Sequence, residues 1–257
     1  MIDILLCGCL GVMGKMICEC SQNNSFSDKI KIVAGVDIKE GISDSFPVYK
    51  SVGEVNFPVG AVIDFSHPSL LSEVISYAAK YNVPTVLATT GYTEEQKNEI
   101  KIASEKIPVF FSPNMSVGVN LVAELVKKAA SALGADYDVE IIEKHHNRKL
   151  DAPSGTTLML ADAVVSAEGR PMNYVYERHS ERRARTKNEI GIHSVRGGTI
   201  VGEHDVIFAG EDEVITVSHS AGSRKIFATG ALKAALFISD KKPGIYTMQD
   251  LINEVNI

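Results

Sequence analysis

Three side chains able to move or hold a proton fall within five consecutive positions: His145, His146 and Lys149, with Arg148 beside them. Histidine changes charge near neutral pH, so it can give or take a proton there. Lys149 supplies a fixed positive charge or, once desolvated, a proton. Directly behind stand Pro153, Ser154, Gly155 and Thr156, followed by an apolar-periodic run to Glu168. Ser154 reads as the N-cap of a helix over 154–168, with the amides of Gly155 and Thr156 pointing outward at its positive end. Such a helix end contributes ~0.3–1 kcal/mol toward an anion when exposed and up to ~2 kcal/mol when partly buried. Together with Lys149 it could offset the cost of stripping water from a carboxylate. Proton donors beside an anion-holding helix end suggest chemistry on a small acidic substrate. The competing readings are an ordinary capped helix, and histidines that are surface groups or metal ligands. No neighbouring Cys or Asp set has convincing ligand spacing, so no metal is expected.

A second constellation opens the chain. The run Gly8, Cys9, Leu10, Gly11, Val12, Met13, Gly14 is a G-x-x-G-x-x-G that follows an apolar run and precedes a helical one. Glycines there let the backbone turn sharply and approach a pyrophosphate, with the helix N-terminus supplying amides and a positive dipole. Asp37 lies 23 residues past Gly14 at the end of the next apolar run. An acid at that place can bond the ribose hydroxyls of a dinucleotide. Without that context the pattern is only a tight strand–helix turn. Asp37 repels a 2′-phosphate and favours NADH; Lys39 softens this, leaving NADPH as the other cofactor. Ala88, Thr89 and Thr90 follow one apolar run, and Ser112, Pro113, Asn114 and Met115 follow another. Both fall where parallel strands end, the edge at which such sheets bind ligands, although ordinary loop chemistry reads equally well.

These groups need elements to position them. Residues 1–114 alternate short Val-, Ile- and Phe-rich runs with helical ones, as strands buried on both faces do. Strands are expected at 2–7, 31–36, 61–65, 85–88 and 109–111, with helices at 70–81 and, after the N-cap Thr93, at 94–106. A long amphipathic helix covers 119–133. Then the rhythm changes: a half-buried strand at 137–143, the helix 154–168, and strands at 190–195, 199–209 and 213–220 joined by short turns. His145 and His146 face opposite ways if the strand before them continues. A helix at 223–238 closes the pattern. The fold class expected is α/β: a Rossmann-type doubly wound parallel sheet over 1–114 plus 222–257, with an inserted α+β domain over 115–221 carrying a mixed or antiparallel sheet.

Composition narrows the partners. The net charge of −6 disfavours nucleic acid or an anionic membrane as a partner, and no apolar run is long enough to span a bilayer. The cations Arg178, Arg182, Arg183, Arg185 and Lys187 are offset by glutamates and lack interleaved aromatics, so they read as a solvated loop near the active site rather than a nucleic-acid patch. The N-terminus reads as a strand and lacks a basic leader, so a cytoplasmic protein is expected. All four cysteines lie in the first 20 residues. Cys18 and Cys20 point ~200° apart on a helix, which favours small apolar fillers in a reducing compartment over a metal site.

The run from Glu143 to Thr156 closely resembles the central motif of the 4-hydroxy-tetrahydrodipicolinate reductase family, also called dihydrodipicolinate reductase. The resemblance extends along essentially the whole chain, through the glycine-rich opening, residues 63–66, 89–91, 114–120, 195–198, 202–204 and Arg224. It implies a homotetramer of lysine and diaminopimelate synthesis that reduces a cyclic dicarboxylic substrate with NAD(P)H and loses water. It implies His145 as proton donor and acceptor, Lys149 as a second donor, and His146, Gly155 and Thr156 as holders of a substrate carboxylate. Gly8 to Met13, Asp37, Ala88 to Thr90 and Ser112 to Met115 would contact the cofactor, and the inserted domain would carry the substrate site and the tetramer sheet. Many relatives carry Arg or Lys where this chain has Val12, and some carry Arg at Ile38; both changes remove charge near a 2′-phosphate. Many also carry Gly at Ala88 and Phe at Met115. Two other functions compete: a dehydrogenase of an acyclic amino acid on a similar fold, and a cofactor-binding regulator without turnover.

Overall fold

The computed structural model describes residues 1–39, 43 and 45–254. Residues 40–42, 44 and 255–257 of the expected dinucleotide domain lie outside the described residues. The strands in chain order are β1 (Ile2–Cys7), β2 (Ile30–Val36), β3 (Val48–Tyr49), β4 (Ala61–Asp64), β5 (Thr85–Leu87), β6 (Pro108–Phe111), β7 (Asp138–His145), β8 (Asn173–Val175), β9 (Glu189–Arg196), β10 (Gly202–Ala209), β11 (Val214–Ala221) and β12 (Gly244–Tyr246). The helices are α1 (Val12–Ser21), α2 (Leu71–Tyr81), α3 (Glu94–Ser104), α4 (Val117–Leu133), α5 (Gly155–Glu168), α6 (Lys225–Ile238) and α7 (Met248–Glu254). The chain divides into two compact units, Met1–Val117 with Arg224–Ile257, and Gly118–Ser223.

The first unit is a seven-stranded sheet ordered β12-β6-β5-β4-β1-β2-β3. Every neighbouring pair in it is parallel. The strands are apolar throughout because both faces are covered: β4 is buried at all four positions. Leu5, Cys7, Val62 and Leu87 pack with Leu71, Val74 and Ile100 of α2 and α3. Alternate residues such as Ile4, Leu6 and Ile63 are equally buried and point the other way. Each fully buried aliphatic side chain contributes ~1.5–3 kcal/mol, so this double-sided sheet dominates the unit's stability. Chain order runs outward from β1 to β3, then returns to β4 on the other side of β1. That reversal is the switch point at which doubly wound sheets open a crevice beyond their strand ends. The short strands β3 and β12 were not expected, because two or three residues carry no readable period.

The second unit is a five-stranded mixed sheet ordered β11-β10-β7-β9-β8. β10 is antiparallel to β7 and β11, whereas β9 is parallel to β7 and β8. Helices α4 and α5 cover one face, with Val126, Leu160 and Val164 on Ile141, Ile192 and Phe208. Three expectations are corrected here. The strand foreseen at 199–209 begins only at Gly202, and β9 and β10 are not neighbours, because β7 lies between them. The loop joining them therefore crosses the end of β7, where the Gly197 amide donates to the His145 carbonyl (2.9 Å) and the Asn147 amide to that of Gly198 (3.2 Å). The basic segment is solvated but sits away from His145. Arg178 bonds Glu189 and Glu140, and Arg185 reaches Asp138, all at the opening ends of β7 and β9. His145 lies at the far end of β7, seven residues on from Asp138. Carboxylates clustered at those strand starts capture the cations locally.

Candidate active site

On β7 burial alternates strictly, and the buried face reads Val139, Ile141, Glu143, His145. The same face of β10 reads Phe208, Val206, His204, Gly202 toward the same end. Register places His204 opposite Glu143 on one side and Ser194 opposite it on the other, with Arg196 beside His145. Three strands thus run from an apolar core into one row of polar groups beneath the start of α5. The strand persists through His145, two residues further than its pattern indicates, and His146 falls just beyond it.

Glu143 has no exposure to solvent, and His145 is 8% exposed. The Glu143 carboxylate takes two bonds from the Arg196 guanidinium (2.8 and 2.6 Å) and lies 2.5 Å from His145 Nδ1. Burial pushes that carboxyl up, but the bonds from Arg196, Ser194 and His145 outweigh burial and hold it at about 2. It is therefore ionised and can only accept, so Nδ1 of His145 carries the proton. His204 packs edge-on against His145, with ring centres 5.2 Å apart. Burial depresses the proton affinity of His204 to about 4. Its Nε2 lies 3.0 Å from Ser154 Oγ, which also accepts the Thr157 amide (3.1 Å) as N-cap of α5. Gly155 and Thr156 form the first turn of α5, the positive end of the helix. Lys149 pairs with Asp151 at 2.8 Å, and its amide donates to the His146 carbonyl, closing a turn that directly follows His145.

The glycine-rich loop sits in the first unit. Cys7 pairs with Val36 and Asp64, Asp64 with Leu87, and Leu87 with Phe111. The next residues on each strand therefore line one edge, which brings Gly8, Asp37, Ala88 and Ser112 together. A Cβ on Gly8 would stand 2.4 Å from the Phe65 carbonyl, and one on Gly14 2.2 Å from the Gly8 carbonyl. Only glycine permits this close turn, and Gly8 has a φ of +78°. Gly11 caps α1 without a side-chain bond, leaving the first-turn amides to other acceptors. Asp37 is buried and accepts the Leu10 and Lys39 amides, both at 2.9 Å. Each oxygen retains a lone pair for a hydroxyl, so loop and acid fit a dinucleotide. Val12 and Ile38 are exposed, at 62% and 83%, and put no charge there. Thr89 is buried and Thr90 exposed; Ser112 and Met115 are buried, Pro113 exposed and Asn114 half-buried. Cys9 packs against Gly35, and burial raises its thiol to about 12, as for an apolar filler.

Sequence reasoning assigned no role to Asp64, Arg196 or His204. Asp64 is fully buried and accepts from Thr89 (2.9 Å) and Tyr92 (3.2 Å), so it ties together the loops after β4 and β5. Period two along β9 and β10 is the signal that could have found Arg196 and His204, but only with strand order in hand.

Comparison with known proteins places the whole chain in one family. Residues 2–115 match the family model described as dihydrodipicolinate reductase, N-terminus, and 118–252 the model for its C-terminus. The chain is 50% identical over 254 residues to 4-hydroxy-tetrahydrodipicolinate reductase of Caldanaerobacter subterraneus subsp. tengcongensis, covering 99% of each chain. It is 48% identical to the protein of that name from Clostridium tetani, covering 98% of each. A dipicolinate-bound dihydrodipicolinate reductase from Paenisporosarcina sp. TG-14 superposes with a TM-score of 0.78 at 27% identity, over 98% of this chain and 99% of that one. An amine dehydrogenase from Mycobacterium smegmatis, 11% identical with a TM-score of 0.63 over 98% of this chain and 95% of its own, shares the fold. With a nucleotide-binding Rossmann unit followed by the mixed-sheet unit that bears His145, the chain belongs to the dihydrodipicolinate reductase family.

Proposed function

We infer that this protein reduces 4-hydroxy-tetrahydrodipicolinate to tetrahydrodipicolinate with NAD(P)H, with loss of water. The observation that carries the reading is the buried Glu143–His145 pair beside the Lys149 turn and the start of α5. Bound at the glycine-rich loop, NAD(P)H would supply the hydride. The chain's own residues supply everything else. His145, with one proton fixed on Nδ1, takes up a second at Nε2 and gives that one to the substrate as it is reduced. Lys149 assists as a second donor and neutralises charge that builds as the substrate is reduced. His146 and the amides of Gly155 and Thr156 hold one substrate carboxylate at the positive end of α5. Gly8 to Met13 hold the cofactor's pyrophosphate, and Asp37 its ribose. Thr89 and Asp64, with Ala88, Thr90 and Ser112 to Met115, shape the edge beyond β5 and β6.

NADH is the preferred cofactor, since Asp37 repels a 2′-phosphate and neither Val12 nor Ile38 offsets it; Lys39 keeps NADPH usable. The protein works as a cytoplasmic homotetramer on a small cyclic dicarboxylate. One assay tests the reaction: NADH loss with the aldolase product of pyruvate and aspartate semialdehyde. A steady absorbance fall is expected. No change would favour an acyclic amino-acid dehydrogenase or a non-catalytic regulator. Comparing KM for the two cofactors tests the preference, and a strong NADPH preference would overturn it.

A further inference from the structure

We propose that the Glu143–Arg196 ion pair is the positioning device for His145, locking the imidazole with its proton on Nδ1 and Nε2 left to exchange one. The proposal rests on the reading of His145 as the proton-transfer residue. Nothing in the residue types of the motif requires it. It follows from register, which sets Arg196 of β9 beside His145 of β7.

Glu143 lies two residues before His145 on a strand, so both face the same way. Both its oxygens are engaged: Oε1 by Arg196 Nη2 at 2.6 Å, Oε2 by Arg196 Nη1 at 2.8 Å and by His145 at 2.5 Å. A bidentate guanidinium fixes the plane of the carboxylate, and the carboxylate then fixes the plane of the ring. A lone buried carboxylate would be costly to ionise. Arg196 cancels its charge, so the pair orients the ring without adding a net charge beside it. The same guanidinium donates to the Asp151 carbonyl at 2.7 Å, and the Asp151 carboxylate pairs with Lys149. One arginine therefore anchors both proton-handling residues.

Gly202 lies against the other edge of the ring. A Cβ on Gly202 would lie 3.0 Å from His145 Nε2, so a larger residue there would crowd the exchanging nitrogen. Around His145 the titratable neighbours are Glu143 on its own strand, Arg196 on β9, His204 on β10, and His146, Lys149 and Asp151 in the following turn. His219 of β11 lies opposite His204 in register. Of these only the Glu143–Arg196 pair meets Nδ1.

Nitrogen NMR of the histidine rings in the full-length protein, without cofactor and above neutral pH, reads the tautomer directly. For the native chain His145 should show a protonated Nδ1 and an unprotonated Nε2. In Glu143→Gln the preference should blur, because an amide both donates and accepts. kcat should fall ~10–100-fold, as when an orienting partner of a working histidine is lost, with KM changing less than about threefold. The pH profile of kcat should move with it, whereas a merely structural loss would lower activity without moving the profile. Arg196→Lys, which keeps the charge but not the fork, should lie between the two. A native His145 protonated on Nε2, or a Glu143→Gln variant with unchanged ring nitrogens and profile, would overturn the proposal. If Glu143→Gln does not fold, the native spectrum and Arg196→Lys decide it. The His145→Gln variant separates the two ideas. Undiminished kcat there would sink the proton-transfer reading, while the His145 ring spectrum of the native chain would still report on the ion pair.

Discussion

The two units build their candidate sites from different materials. In the first the cradle is mostly backbone: glycines that admit no Cβ, an α1 start without a side-chain cap, and one acid held by two amides. In the second it is buried charge: a carboxylate, a guanidinium and two histidines at the end of an apolar core. A backbone site fails by steric exclusion and responds little to pH. A buried-charge site fails by losing a partner and is linked to proton uptake. On the proposed function the difference follows from the task, since a pyrophosphate needs many fixed donors, whereas proton transfer needs one group poised between two states.

The largest expected effect breaks the second site alone. His145→Gln should lower kcat ~10²–10⁴-fold with a much smaller rise in KM. Steady-state kinetics check this, and an unaltered kcat would remove the distinction drawn between the units. Next comes pH. His204 holds its proton only below about 4 when folded, whereas the unfolded chain binds it below ~6.5. The unfolded state then binds the extra proton between those values, so stability falls as pH drops through that window, by up to ~3 kcal/mol. Glu143, held at about 2, adds a loss of the same sign below ~4.5, complete only once pH passes its folded value. Urea unfolding across the range should show the slope, and His204→Gln should flatten its upper part; a slope unchanged in that variant would place the linkage elsewhere.

Smaller effects probe the first site. Gly14→Ala would set a Cβ 2.2 Å from the Gly8 carbonyl and 2.6 Å from Cys9 Cα. It should cost ~1–3 kcal/mol of stability and weaken cofactor binding at all pH values, seen by thermal unfolding and cofactor titration. A fully stable Gly14→Ala that binds normally would show that the loop is looser than a steric cradle. The smallest change is Ile38→Arg, which places a cation on an exposed position beside Asp37. It should favour NADPH over NADH by ~0.5–1 kcal/mol, a two- to fivefold change in the ratio of kcat/KM. No change in that ratio would mean the 2′-phosphate is read elsewhere.

Much was determined by sequence alone. Apolar runs bounded by glycine and proline set β1, β4 and β5 nearly to the residue, and the serine before Gly155 set the start of α5. The glycine loop, Asp37 and the histidine-lysine run were visible as residue types at working intervals. Local patterns carry such features because turn geometry, capping and side-chain alternation act over a few residues. What only the tertiary structure decided was partnership across long stretches of chain. Sequence gave no reason for β7 to lie between β9 and β10, for the basic segment to bind the opening end of that sheet, or for Arg196 to meet Glu143, 53 residues away. Those choices depend on which strands share a sheet and in what register. Both are set by how whole apolar faces pack against α4 and α5, not by any short-range signal.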